Sequence, residues 1–270
     1  MATTTRPLAI VTGASSGIGL ELARQFAENG FDLIIAAEDA AIHSAPADIR
    51  VDGAHVEPVQ ADLATAEGVE QLYARIAASG RPIEAIAINA GVGVNGDFSR
   101  ETELEAELRL IQLNVMSTVH LTKRVVKDMV ARGRGRILIT SSIAALMPSP
   151  FMAVYGATKA FDLAFAESLR EELKDTGVSV TALLPGPTET NFFRRADMED
   201  TKAAESSPDN DPAEVARQGF KALMAGDERV IAASLKTKFQ GALARFLPEQ
   251  LKAKWHRALT EPGSASSSSG

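Results

Sequence analysis

Tyr155 and Lys159 are the two residues of this sequence whose types and spacing could move a proton. Residues four apart on a helix lie on one face, so the phenol and the ammonium project side by side. A phenol titrates near pH 10 in water, roughly three units too high for ready proton exchange at neutrality. A neighbouring ammonium favours the phenolate and lowers that value. Lys159 is therefore expected to tune Tyr155 as general acid for reducing a carbonyl and as general base for oxidising an alcohol. Taken alone, Tyr-x3-Lys could equally be a pair on a surface helix. The hydroxyls of Ser141 and Ser142 supply a companion, able to hold a substrate oxygen and stabilise charge developing on it. They stand at the end of the apolar run Arg136–Thr140.

A second constellation lies near the N-terminus. Thr12-Gly13-Ala14-Ser15-Ser16-Gly17-Ile18-Gly19 follows the apolar run Leu8–Val11 and opens onto a helix expected to begin near Leu20. Glycines let the chain turn sharply and let backbone approach a pyrophosphate, whose charge sits on the free N–H groups of a helix N-terminus. A glycine-rich turn by itself could be only a tight connection. Here a strand precedes it, a helix follows it, and a second strand is expected at Asp32–Ala37, which is the context that dinucleotide binding requires.

The elements that would position these residues repeat along the chain. Apolar runs recur at Leu8–Val11, Asp32–Ala37, His55–Val59, Ile83–Ile88, Arg136–Thr140, Val178–Leu184 and Arg229–Ala233. Most are apolar throughout rather than alternating, as expected of strands covered on both faces. Helical periodicity fills the gaps, as in Leu22, Ala23 and Phe26, with Asn29-Gly30 closing that helix. Phe161, Phe165, Leu169 and Leu173 predict a buried ridge on a helix running to about Asp175. Alternating strands and helices predict an α/β fold, a Rossmann-like doubly wound parallel sheet of about seven strands. A single domain over residues 1–260 is expected, with the polar stretch Asp197–Pro212 a loop within it. Residues 261–270 are expected to be a disordered tail, since Pro262 to Gly270 are almost all Ser, Gly and Ala.

Lys plus Arg number 28 against 35 Asp plus Glu, a net charge of −7. An acidic chain without a dense basic run is a poor candidate for nucleic acid or an anionic membrane surface. No stretch approaches the roughly 20 apolar residues of a membrane span, and the N-terminal run is too short for a signal-peptide core. The absence of cysteine removes disulfides, thiol nucleophiles and thiolate metal sites. A cytoplasmic location is expected. The histidines at 43, 55, 120 and 256 are scattered without ligand spacing, so no metal is expected.

The pattern Thr-Gly-x3-Gly-x-Gly together with Tyr-x3-Lys resembles the short-chain dehydrogenase/reductase family, and the resemblance runs from about Leu8 to Phe193. It implies a nicotinamide-dependent oxidoreductase interconverting an alcohol and a ketone or aldehyde by hydride transfer. By the same resemblance Gly13, Ser15, Ser16, Gly17, Ile18 and Gly19 would hold the diphosphate, and Asp62 with Leu63 the adenine. Asn89, Ala90 and Gly91 would border the cofactor, as would Pro185 and Gly186, and Thr188 and Thr190 would face the carboxamide and diphosphate. Lys159 would also bond the nicotinamide ribose. Ser142 precedes Tyr155 by 13 positions, the family spacing for its catalytic serine, although Ser141 is a rival. Asn114 would hold a water leading to Lys159, or else simply bond neighbouring backbone.

Members that prefer NADP usually place Arg after the second strand, where this chain has Ala37 and Glu38. A carboxylate repels a 2′-phosphate but accepts hydrogen bonds from ribose hydroxyls, so NAD(H) is the expected cofactor, read by Glu38, with NADP(H) possible. Glu38 capping or solvating a short helix is the plain alternative. The apolar stretch Ala144–Met152 is expected to wall a pocket for a small-molecule substrate with an apolar portion. Phe192-Phe193 would form a lid or ordinary packing, with Arg194 and Arg195 outward. Leu235–Leu259, with Trp255 and its basic neighbours, reads as a terminal helix that packs on the domain or touches a membrane or another subunit. The helices around Glu103–Arg132 and Met152–Asp175 would pair subunits into a homodimer or homotetramer. Competing functions are a sugar-nucleotide epimerase or dehydratase, and a regulator that senses the dinucleotide without turnover.

Overall fold

The apolar runs become strands because most of their residues meet apolar neighbours on both sides of a sheet, with only the edge runs Val56–Gln60 and Arg229–Ala232 left largely half-buried. The structure, a computed structural model, describes residues 6–207, 210–232 and 248–265. In chain order it contains β1 (Leu8–Thr12), α1 (Gly17–Glu28), β2 (Asp32–Ala37), α2 (Ala45–Asp48), β3 (Val56–Gln60), α3 (Ala66–Ala78) and β4 (Ile83–Ile88). Then come α4 (Leu104–Ile111), a π-helical segment Gln112–Met116, α5 (Ser117–Arg132), β5 (Gly135–Thr140), a 3-10 turn Ile143–Leu146 and α6 (Ala153–Leu173). The rest comprises β6 (Val178–Pro185), α7 (Phe192–Arg195), α8 (Lys202–Glu205), α9 (Pro212–Ala225), β7 (Arg229–Ala232) and α10 (Glu249–Thr260). The seven strands form one sheet in the order β3-β2-β1-β4-β5-β6-β7, and every pairing is parallel.

Alternate residues of β1 serve opposite layers, as the period of two demands. Ala9 and Val11 pack with Leu22 and Phe26 of α1 and Val215 and Phe220 of α9. Leu8 and Ile10 face the layer made by α3, α5 and α6, through Leu72, Val125 and Leu163. Burying both faces is the largest stabilising contribution to such a sheet. Strand order reverses between β1 and β4, so the chain after β1 departs to one side and the chain after β4 to the other. A crevice opens at that point, beyond the C-terminal strand ends, and it is where ligands of such sheets bind.

Several sequence expectations shift. Helix α1 begins at Gly17, one turn earlier than Leu20, because the glycine turn itself supplies its first N–H groups. Phe161 is 39% exposed and does not join a buried ridge; the stripe of α6 facing the core carries Tyr155, Lys159, Asp162, Leu163, Ala166 and Leu173. The tail expected from 261 onward is docked over its first residues. Gly263 N–H donates to Asp200 Oδ2 at 2.6 Å and Ala265 N–H to the Asp200 carbonyl at 2.8 Å, so backbone hydrogen bonds fix it despite its composition. Residues 266–270, Ala233 and the stretch 235–247 of the expected terminal helix lie outside the described residues. Among those described, no helix is long and apolar enough to cross a membrane.

Candidate active site

The glycine turn is built around close contacts. Gly13 has φ +67°, and a Cβ there would stand 2.9 Å from Ala90 Cα; a Cβ on Gly19 would run into the Gly13 carbonyl. Side chains at these positions would separate β1, α1 and β4, so only glycine permits this approach. The Ser16 cap makes no side-chain bond to the helix, leaving the first N–H groups of α1 available to an anion. Thr12 ties the two strand ends together, its Oγ1 accepting from Asn89 N–H at 2.9 Å and Ala90 N–H at 3.0 Å. This cradle fits a dinucleotide diphosphate.

One cavity gathers most of the residues singled out from the sequence. Gly13, Ser15, Ser16, Gly17, Ile18, Gly19, Glu38, Leu63, Asn89, Ala90, Gly91, Pro185, Gly186, Thr188 and Thr190 line it together with Ser142, Tyr155 and Lys159. Asp62 and Asn114 are not among its lining residues. Asp62 turns to Arg109 of α4, accepting at 3.1 Å on each carboxylate oxygen, and Glu38 takes a third bond from the same guanidinium at 2.6 Å. Glu38 is therefore engaged in an exposed ion pair rather than standing free, and its neighbour Asp39 accepts from Ser15 Oγ at 2.8 Å and Arg195 at 3.3 Å. Arg109 does not stand out in the sequence, since it belongs to no local motif.

Asn114 is fully buried in the π-helical segment. Its Oδ1 accepts from Val92 N–H at 3.0 Å; its Nδ2 donates to the Val92 carbonyl at 3.0 Å and to Thr158 Oγ1 at 3.1 Å. The amide thus clamps the strand-end loop after β4 onto α6. Gly91 lies in that loop, and a Cβ on it would approach Asn114 Oδ1 at 3.2 Å and Lys159 Nζ at 3.3 Å. The two side chains accordingly converge on the same spot.

Ser141 and Ser142 part company at the end of β5. Ser141 Oγ donates to the Lys159 carbonyl at 2.6 Å and is buried against α6. Ser142 Oγ accepts from Ala144 N–H at 3.1 Å and also favours the phenolate form of Tyr155. Lys159 Nζ donates to the Thr140 carbonyl at 2.9 Å and to Asp162 Oδ2 at 3.0 Å. The phenol itself departs from expectation. Burial pushes the Tyr155 phenol above its ordinary value, outweighing the downward pull of Lys159 and Ser142, with Asp162 adding a further upward push.

The far side of the cavity is apolar. Met147, Met152, Phe192, Phe193, Met198 and, from α10, Trp255 and Leu259 line it. The Phe192 ring lies 5.3 Å from that of Tyr155 and 5.6 Å from that of Phe193, so the pair both packs and faces the pocket. Arg195 is exposed, as expected, and pairs with Asp39. His256 and Thr260 of α10 close the same wall, and burial brings the His256 imidazole down to about 4. The part of α10 that is described therefore packs on the pocket, which its basic, amphipathic composition gave no reason to expect.

A short chain dehydrogenase model matches residues 7–201. The 1-deoxy-11-beta-hydroxypentalenate dehydrogenase of Streptomyces exfoliatus is 38% identical over 185 residues, covering 67% of each chain. Among solved structures, a short-chain dehydrogenase from Sphingobium yanoikuyae in complex with NADPH superposes with a TM-score of 0.77 at 31% identity, over 88% of this chain and 92% of that one. A bulky-bulky ketone specific alcohol dehydrogenase from Comamonas testosteroni gives 0.73 at 27% identity, over 91% and 100%. The chain belongs to the short-chain dehydrogenase family. It is an oxidoreductase that uses a nicotinamide dinucleotide to interconvert alcohol and carbonyl groups.

Proposed function

We propose that Tyr155 passes the proton in this reaction, with Ser142 holding the substrate oxygen and Lys159 biasing the phenol toward its phenolate. The observation that carries this reading is the convergence of all three side chains on the cavity that also receives the glycine turn. When bound, the dinucleotide supplies or takes the hydride. The chain's own work is to hold the carbonyl oxygen, exclude water with the apolar wall, and give or take a proton at Tyr155 Oη. Lys159 is read as bonding the nicotinamide ribose, and Asn114 as fixing the loop beside it on a water route to solvent. Residues 1–260 are read as the unit doing this. Tyr155→Phe should abolish turnover while leaving dinucleotide affinity nearly unchanged, measured by nicotinamide absorbance and by binding titration; retained turnover would overturn the assignment.

For the adenosine end, the carboxylates of Glu38 and Asp39 beside Ser15 support NAD(H). NADP(H) is the second reading, favoured by the NADPH held in the Sphingobium neighbour and by two guanidiniums, Arg109 and Arg195, already at these carboxylates. The ratio of kcat/KM for NADH and NADPH decides between them, and an advantage for NADPH removes Glu38 as a ribose reader. The pocket wall suits a carbonyl or alcohol bearing an apolar group, in line with the ketone specificity named for the Comamonas neighbour. Phe98, Leu104, Leu108 and Met116 are between 48% and 66% exposed around α4 and the π-helical segment, a face suited to pairing subunits. A homodimer or homotetramer acting in the cytoplasm is the corresponding reading.

A further inference from the structure

Behind the reacting groups sits a charge that the mechanism above does not use. Asp162 is one turn beyond Lys159 on α6 and only 1% exposed. Its Oδ2 accepts from Lys159 Nζ at 3.0 Å, while its Oδ1 is buried without a hydrogen-bond partner. A carboxylate placed so deep is costly: burial pushes the Asp162 carboxyl above its ordinary value, and among the described residues Lys159 is the cation that pulls it back down. Lys159 is thereby shared: Thr140 and Asp162 hold its ammonium on the side of the protein interior, and Tyr155 lies one helical turn back.

We propose that Asp162 is a positioning residue that anchors the Lys159 ammonium from behind and limits how strongly that cation favours the Tyr155 phenolate. The inference rests on the reading of Tyr155 as the proton-transferring group. Two effects act in the same direction. The carboxylate charge opposes a second negative charge on the phenol, and the bond to Asp162 draws the ammonium away from it. The upward push that Asp162 exerts on the Tyr155 phenol agrees with this geometry. Among the described residues, the surrounding elements add no other charge to the cluster. Strand β6 carries none; Arg136, the one charge of β5, pairs with Glu84 near the start of its strand; on α4, beside Glu105 and Glu107, Arg109 is held by Glu38 and Asp62; and His256 of α10 is kept neutral by burial. Among the described residues, Lys159 and Asp162 are the charges that act on Tyr155.

The device would place the proton donor above the value Lys159 alone would set, holding Tyr155 as the protonated phenol over a wider pH range. That favours donation to a carbonyl oxygen over acceptance from an alcohol.

The test needs no substrate. The chain has two tyrosines, Tyr73 and Tyr155, so tyrosinate ultraviolet absorbance can be titrated in the whole protein, with Tyr155→Phe identifying the Tyr155 component. In Asp162→Asn that component should move to lower pH by about one unit, the size of effect one nearby charge exerts. Asp162→Leu, which buries no polar atom, should move it the same way and serves if the Asn variant does not fold, as judged by circular dichroism. A midpoint that stays in place or rises in a folded variant overturns the proposal, since it would mean that Asp162 carries no charge or does not act on Tyr155. The titration reports ionisation alone. Should Tyr155→Phe retain turnover, the catalytic reading fails while the tyrosinate shift still reports on Asp162.

Discussion

The two ends of the cavity hold ion pairs of the same chemical kind in opposite surroundings. At the end near the glycine turn Arg109, Glu38 and Asp62 form a cluster whose side chains are 37% to 54% exposed. At the chemical end Lys159 and Asp162 pair with side chains only 6% and 1% exposed. Coulomb attraction between solvated charges is weak and further screened by salt, whereas a buried pair depends on both partners. The first cluster can open and re-form around a ligand at little cost. The second cannot, so it can hold the Lys159 ammonium in one place. Adaptability at one end and rigidity at the other thus follow from exposure alone, without different residue types.

The sharpest way to break this contrast is to remove one partner of the buried pair. Lys159→Met leaves Asp162 buried and uncompensated, and should cost roughly 3 kcal/mol of stability at neutral pH, read from urea denaturation. The folded-state value of Asp162 then lies above its unfolded one, so the loss should shrink as the pH falls and the carboxyl takes a proton. A loss that does not depend on pH would mean that the Asp162 charge is not its cause.

His256 offers a smaller effect at the same end. Its folded value of about 4 lies below the ordinary 6.5, so the stability it contributes is present above about 6.5 and is lost as the pH falls toward 4. Thermal midpoints of His256→Gln should fall less than those of the parent chain between about pH 6.5 and pH 4.5. Parallel slopes would show that the imidazole is not desolvated.

The smallest effect belongs to the exposed cluster. Arg109→Ala should change stability by less than about 1 kcal/mol, and the difference should vanish in high salt. The same substitution should alter the preference between NADH and NADPH several-fold, because the guanidinium bears on Glu38. A stability loss comparable with that of Lys159→Met would erase the distinction between the two ends.

The strands were legible in the sequence to within about a residue because continuous aliphatic runs have one stable use in a domain of this size, the middle layer of a covered sheet. The glycine turn was legible for a related reason: its chemistry is local, and the same few residues provide the turn, the helix start and the close approach to β4. Residues whose roles depend on distant partners stayed hidden. Asp162 reads as an ordinary polar position on a helix until α6 is rolled against β5, and Arg109 as an ordinary surface charge until it reaches across two loops to Glu38 and Asp62. Phe161 fitted the apolar period of its helix but sits on the exposed side, beside Phe165 at 5.9 Å, because the core-facing stripe is taken by the reacting groups. Tyr155 is recognised by its motif, but the upward push of burial on its phenol comes from the enclosure of the whole site, where the Phe192 ring 5.3 Å away belongs to a different part of the chain.

Helix α10 reaches the pocket wall from the far end of the chain, whereas every residue of the dinucleotide set lies at or before Thr190. During synthesis the glycine turn and the strand ends therefore leave the ribosome well ahead of Trp255 and His256, which add the last part of the pocket wall. Exchanging α10, which supplies Trp255, His256 and Leu259 to this wall, is a route to reshaping the pocket with the glycine turn and Tyr155 left as they are.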